Sequence, residues 1–124
     1  MICEGQVHGG FAQGLGQALC EEVIYNEAGQ LVSGSLMDYC LPRADHVPPI
    51  TTKLIELPSA SNPLGVKGVG ESGTVGTPAA IVNAILDAVR PLGVRDISMP
   101  VTPGKLWCAI QAADREAAIA SATD

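Results

Sequence analysis

The segment of residues 62–76 most constrains how this chain folds, because it holds five of the fourteen glycines. Glycine loses more conformational freedom on folding than any other residue, so such a density opposes both helix and strand. The composition predicts a loop without regular structure, in which bare backbone crowds round a bulky ligand. One acidic side chain, Glu71, lies in its middle.

Residues 68–73 also spell G-x-G-x-x-G, the pattern of dinucleotide-binding folds. In those folds the pattern follows a buried strand and opens a helix whose N–H groups meet the pyrophosphate. Here a proline-containing loop precedes it, the next helix is expected only near Pro78, and Glu71 places a negative charge where phosphate would lie. No G-K-[ST] run follows either. We therefore reject a dinucleotide fold and a phosphate-binding loop.

Glu71 is instead a candidate general base. A carboxylate in such a loop is expected to have few waters around it, and desolvation favours the protonated form, so the group can accept and return a proton. The alternative is that Glu71 caps loop N–H groups or the following helix. Lys67 is a candidate partner for a phosphate or carboxylate, with a solvated surface charge as its alternative.

The pattern outside this segment predicts an α+β fold. Apolar residues at every fourth position predict a helix over residues 7–21, and threonine caps followed by proline predict helices over 78–90 and 103–112. An Asn-to-Gly turn at 26–29 predicts a β-hairpin. The predicted strands are residues 23–25 and 31–36 of the hairpin, 51–57, and a strand-like piece at 96–99.

Composition limits the partners. The 124 residues fit one domain, but only 16% are charged and 47% are hydrophobic, against about 25% charged in an ordinary soluble domain. Such a chain is expected to hide part of its surface against something else. The net charge of −6 argues against nucleic acid and anionic membranes. No apolar run approaches the roughly 20 residues of a membrane span and no signal peptide is evident, which predicts a cytoplasmic protein.

Metal ligation by protein side chains is not predicted, because His8 and His46 lie far apart and neither stands at ligand spacing from a cysteine. No serine has a nearby histidine, so hydrolase chemistry is not indicated either. The cysteines form no C-x-x-C pair and are expected to be reduced, small buried hydrophobes. They are Cys3, Cys20, Cys40 and Cys108.

Three ordered motifs carry a family resemblance. They lie at residues 5–19, 37–43 and 62–73, and the likeness continues to Leu106 and Trp107. The chain resembles the C-terminal end of molybdenum hydroxylase large subunits, the xanthine dehydrogenase and aldehyde oxidase family, nearest its carbon monoxide dehydrogenase-like branch. The resemblance implies that residues 1–124 are the C-terminal portion of the second molybdopterin-binding domain, an incomplete domain with a β-hairpin and sheet packed by helices.

The resemblance also implies site residues. Glu71 matches the family's active-site glutamate, the base of the hydroxylation, and Gln6 matches a glutamine that hydrogen-bonds the pterin. The residues expected against molybdopterin, in bacteria usually its cytosine dinucleotide form, are Lys67, Gly68, Val69 and Gly70. In this family the pterin dithiolene holds the molybdenum. Iron–sulfur clusters and FAD are expected on partner subunits, and the substrate is carbon monoxide, an aldehyde or a heteroaromatic.

Family large subunits are several times longer, and Met1 aligns with an internal methionine. We therefore expect the chain to need the remainder of the large subunit and to be inactive alone. The alternatives are a truncated or split-subunit piece that only binds its complementary chain, and a free-standing small-molecule binding module.

Overall fold

The computed structural model describes residues 1–122, which form three long helices joined by extended segments. The longest connection, between the first and second helix, contains one 3₁₀ turn, and another follows the second helix. Within residues 1–122 no strand is formed. The helices are α1 Ile2–Leu19, α2 Ser72–Val89 and α3 Pro103–Ala122, and the 3₁₀ turns are Ala44–His46 and Arg90–Leu92.

The predicted α+β class, with a hairpin and sheet, is therefore wrong. The turn at 26–29 does form, and Gly29 N donates to Asn26 O at 2.9 Å, but only Tyr25 and Leu31 pair as an isolated bridge. A two-stranded hairpin is marginal without a third strand or a packing surface. Both bridge residues are exposed, and the predicted strand at 51–57 pairs with nothing in the described chain.

Helix α2 starts six residues before the predicted Pro78, so the prediction of Thr77 as its cap is wrong. Val69 O accepts the Ser72 hydroxyl at 2.7 Å and the Ser72 N–H at 3.2 Å, and this turn leads directly into the helix. Pro78 lacks an N–H and so removes one helical hydrogen bond, yet it is buried against α1. The helix thus opens inside the G-x-G-x-x-G pattern, which removes one argument against a dinucleotide fold. The other two hold, since no strand precedes the pattern in residues 1–67 and Glu71 lies within the pattern.

Helices α1 and α2 cross so closely that glycine is required at the contact. A Cβ atom on Gly14 would lie 2.7 Å from Thr77 Cβ, and one on Gly10 would lie 2.9 Å from Thr74 N. Real Cβ contacts are rarely below 3.4 Å. The helical glycines at 10 and 14, which oppose helix formation by about 1 kcal/mol each, therefore have a packing role.

Helix α3 is attached to the end of α1. Val101 N donates to Ala18 O at 2.6 Å, and Lys105 Nζ pairs with Glu22 Oε1 at 2.7 Å. The predicted cap is present, because Thr102 Oγ1 accepts the Lys105 N–H at 3.3 Å. The helix continues well past the predicted residue 112, to Ala122, although none of its residues is buried.

The apolar core is very small. Among residues 1–122 only five hydrophobic residues are buried, namely Leu15, Ala18, Val89, Val94 and Val101. The chain exposes 9258 Å² of surface, whereas a folded monomer of 12.7 kDa exposes about 6,200 Å². Large apolar side chains such as Met37 and Leu64 are 96% and 85% exposed. Within the described residues, no helix has the length and apolar character needed to cross a membrane.

Thr102 provides a test of the α3 attachment. We expect Thr102→Ala to lower the free energy of unfolding by about 1 kcal/mol, since the Lys105 N–H loses its acceptor. Thr102→Ser keeps the hydroxyl and should retain most of that stability. Thermal unfolding followed by circular dichroism measures both. Equal midpoints for the alanine variant and the wild type would show that the cap contributes nothing.

Candidate functional site

A turn organised by Asn62 sets the start of the glycine-rich loop. Its side-chain amide donates to Val66 O at 2.9 Å, and its Oδ1 accepts the Leu64 N–H at 3.1 Å. Gly65 N donates to Asn62 O at 3.1 Å, and Gly65 has a φ of +66°, which glycine adopts without strain. Our sequence analysis missed this role of Asn62. The Asn-Pro-x-Gly order, typical of a β-turn, could have indicated it.

Glu71 stands at the N-cap position of α2, immediately before the first helical residue. Its side chain makes no capping hydrogen bond to the helix, so the alternative role as a cap is not supported. Glu71 is exposed in this chain, whereas we expected the loop to shield it from water. Residues 1–122 alone do not provide that shielding. The backbone turn at Val69–Ser72 fixes where the residue leaves the loop.

Gln6 of α1 lies beside this loop. Its Oε1 is 3.6 Å from the position that a Cβ on Gly70 would take. The close approach of α1 to the start of α2 requires glycine at position 73, because a Cβ on Gly73 would lie 2.5 Å from Val7 O and 2.9 Å from Phe11 N. The structure thus brings the predicted Gln6 next to Gly70, the residue that precedes Glu71.

The other predicted loop residues line an open depression of about 390 Å³. One wall is Lys67, Gly68 and Val69, and Gly70 and Glu71 continue the chain directly from that wall. The remaining lining residues are Cys3 of α1, Leu54, Ile55, Glu56, Leu57, Pro58 and Gly65. Apart from its chain neighbours, nothing lies within 4 Å of the position that a Cβ on Gly68 would take. All six predicted site residues therefore lie in one region, around the N-terminal half of α1 and the start of α2.

Thr74 fastens this region and was not predicted. Its hydroxyl lies 3.2 Å from Gly10 O and 3.3 Å from Gln13 Oε1, so it links the first turn of α2 to α1. A threonine in a glycine-rich stretch gives no signal of this contact. A second depression of about 650 Å³ lies between α2 and residues 97–99, and it includes none of the predicted site residues.

The described residues contain no group of three or more His, Cys, Asp and Glu side chains that could hold a metal ion. The cysteines are all free, but the expectation that they are buried is wrong for three of them. Cys3, Cys40 and Cys108 are exposed, and Cys20 is partly buried. The small core explains this, since few positions of any kind are fully buried.

Comparison with known proteins identifies the family. The family model for a molybdopterin cofactor-binding domain matches residues 1–48. The chain is 45% identical over 105 residues to the nicotine 6-hydroxylase large subunit of Paenarthrobacter nicotinovorans, and 41% identical over 107 residues to the carbon monoxide dehydrogenase large chain of Afipia carboxidovorans. The chain belongs to the molybdenum hydroxylase large-subunit family. These matches cover 85% and 86% of the chain but only 13% of each relative.

Solved structures agree with the assignment of this chain to the molybdenum hydroxylase family. The chain matches quinoline 2-oxidoreductase from Pseudomonas putida 86 with a TM-score of 0.85 and 48% identity, over 90% of this chain and 14% of that one. It matches the Cu,Mo-CO dehydrogenase with a TM-score of 0.86 and 38% identity, over 92% of this chain and 14% of that one. The resemblance drawn from the motifs is therefore confirmed.

Gly73 tests the contact that sets the site. We expect Gly73→Ala to separate the start of α2 from α1, because the new methyl would meet α1 backbone atoms that cannot rotate away; overpacking of this kind costs about 1–3 kcal/mol. Gly76→Ala is the matched control, since nothing lies within 4 Å of its Cβ position. It should be neutral or stabilising by up to about 1 kcal/mol. Chemical denaturation compares the two, and equal effects would contradict the close contact.

Proposed function

We propose that this chain supplies one wall of the molybdopterin site of a molybdenum hydroxylase large subunit, together with its catalytic base, Glu71. The observation that carries the proposal is the approach of Gln6 Oε1 to Gly70, at 3.6 Å from the glycine's Cβ position. It joins an amide on α1 to the loop that bears the carboxylate. Family membership supplies the chemistry for which such an arrangement is suited.

The residues fit a large anionic cofactor. The depression of about 390 Å³ lies within the size range of ligand sites. Gly68 leaves backbone uncovered, Lys67 is an exposed cation, and Gln6 offers both an amide donor and an acceptor. Pterin edges and phosphate oxygens need such partners. We propose Gln6 and residues 67–70 as the contacts, and the cytosine dinucleotide form as the cofactor.

When bound, the molybdenum cofactor supplies the redox centre that takes up electrons from the substrate. Glu71 accepts a proton during hydroxylation, since it directly follows residues 67–70 in the chain and is not engaged as a helix cap. Gln6 orients the cofactor by hydrogen bonding. The rigid start of α2 keeps Glu71 at a constant position relative to both, which is what a general base requires.

The rest of the large subunit completes the site. Glu71 is exposed here, and the chain leaves 9258 Å² accessible, so we propose that the missing part covers the carboxylate and the apolar side chains around it. The chain alone is then inactive. Electrons leave through iron–sulfur and flavin subunits, in keeping with the name of one relative, 41% identical, as a subunit of a dehydrogenase complex.

We propose that the substrate is carbon monoxide, an aldehyde or a heteroaromatic, the range indicated by the names of the relatives. A second candidate function is a non-catalytic piece that only binds its complementary chain. The small core of five buried hydrophobic residues favours it, since a chain with so little interior depends on a partner whatever its chemistry.

The test is expression of the chain together with the complementary part of the large subunit and its partner subunits. We expect the complex to contain molybdenum and to oxidise a substrate of the proposed class. Glu71→Gln should lower kcat by about 10²–10⁴-fold, the usual contribution of a general base, while the molybdenum content stays unchanged. Gln6→Ala should lower the retained cofactor instead.

Glu27→Gln, in the exposed turn at 26–29, is the matched control and should change neither quantity. Wild-type turnover by Glu71→Gln would remove Glu71 from the mechanism. A stable complex without molybdenum would favour the non-catalytic binding piece.

A further inference from the structure

We propose that Cys20 and Cys40 form a redox pair, which a peroxide oxidises to an intramolecular disulfide. The proposal is independent of the function proposed above, because it concerns the opposite end of α1 from Gln6. It assigns a modification site to two residues that the proposed catalytic chemistry does not use.

Two contacts hold the segment around Cys40 against the end of α1. On one side of it, the Tyr39 hydroxyl donates to Glu21 Oε2 at 2.6 Å. On the other side, Pro42 Cγ lies 2.7 Å from the position of a Cβ on Gly16. Cys40 lies between Tyr39 and Pro42, so these two contacts hold it against the end of α1. At that end, Cys20 N donates to Gly16 O at 3.0 Å.

The Tyr39–Glu21 and Gly16–Pro42 contacts place the segment that holds Cys40 beside the end of α1 that leads into Cys20. The pKa of Cys20 is raised to about 11, first by burial and then by the neighbouring Cys40 thiol, with Glu21 adding to the rise. The hydrogen bond to Glu21 likewise raises the pKa of Tyr39. Cys40 is exposed in residues 1–122, whereas Cys20 is partly buried. Such an asymmetric pair suits a two-step oxidation.

In the first step the Cys40 sulfur attacks hydrogen peroxide, which gives a sulfenic acid and one water. In the second step the Cys20 sulfur attacks the Cys40 sulfur, the S–S bond forms, and a second water leaves with the remaining proton. Two thiols are oxidised by two electrons and one peroxide is reduced to two waters. The disulfide would join the end of α1 to the segment at 39–42.

The experiment treats the purified chain, in whatever assembly it is recovered, with hydrogen peroxide, then blocks free thiols and analyses proteolytic peptides by mass spectrometry without reduction. We expect one cross-linked product that joins the Cys20 and Cys40 peptides, has lost two hydrogens and is reversed by dithiothreitol. Cys108→Ser is the matched control and should form the same product. Cys40→Ser should form none.

Cys20→Ser separates the two steps, since Cys40 should then accumulate as a sulfenic acid that dimedone traps. In the wild type, the second step should accelerate nearly tenfold per pH unit between pH 7 and 9, because the attacking Cys20 thiolate becomes more abundant below its pKa of about 11. Cys40 and Glu21 are the titratable groups that act on the Cys20 thiol, which in turn acts on the Tyr39 hydroxyl. Disulfides that chiefly join other cysteines, or a pH-independent second step, would overturn the proposal.

Discussion

The close crossing of α1 and α2 is the interaction on which the rest of this structure depends. At Gly10 and Gly73 the two backbones approach too closely to leave room for a Cβ atom, and at Gly14 the side chains of Thr77 and Pro78 do the same. The hydroxyl of Thr74 ties the same crossing with hydrogen bonds to α1. Because Gln6 lies before this contact on α1 and Gly70 before it on the chain that leads into α2, the crossing brings the Gln6 amide beside the glycine-rich loop from a distant part of the sequence.

The small buried core explains why helices are the only regular secondary structure in the described residues. The five apolar residues that are buried in the described part of the chain are too few to hold a sheet, since a strand pair needs a face to pack on. Helices satisfy their backbone hydrogen bonds internally and so persist with little burial. In the molybdenum hydroxylase large subunits to which this chain belongs, the matched region is only about one-seventh of the length. The exposed apolar residues at 23–25, 31–32 and 54–57 are consistent with a segment that has much of its packing elsewhere.

Local signals in the sequence named the candidate site residues, which stay a prediction, whereas the fold class that they predicted is wrong. The dense glycines at 62–76, the acidic residue among them and the apolar stripe of α1 are local signals, and the family motifs located the candidate residues. The start of α2 was misjudged because Pro78 is a strong helix-start signal, whereas its burial against Gly14 is visible only in three dimensions. The hairpin failed because β-propensity reports a fit to a half-buried surface, and Tyr25 and Leu31 have none here.

Helix α1 also sets the distance between the glycine-rich loop and the segment that holds Cys40. Gln6 lies beside the glycine-rich loop near one end, and the other end leads into Cys20 and the segment at 39–42. Thirteen residues at a rise of 1.5 Å separate Gln6 from Leu19, a rigid span of about 20 Å. A covalent change at the cysteine end can therefore reach that loop only by shifting the helix as a body, and the glycine contacts with α2 leave almost no room for such a shift. The helix therefore joins its two ends rigidly, and a chemical change at one end has little effect on the geometry at the other end.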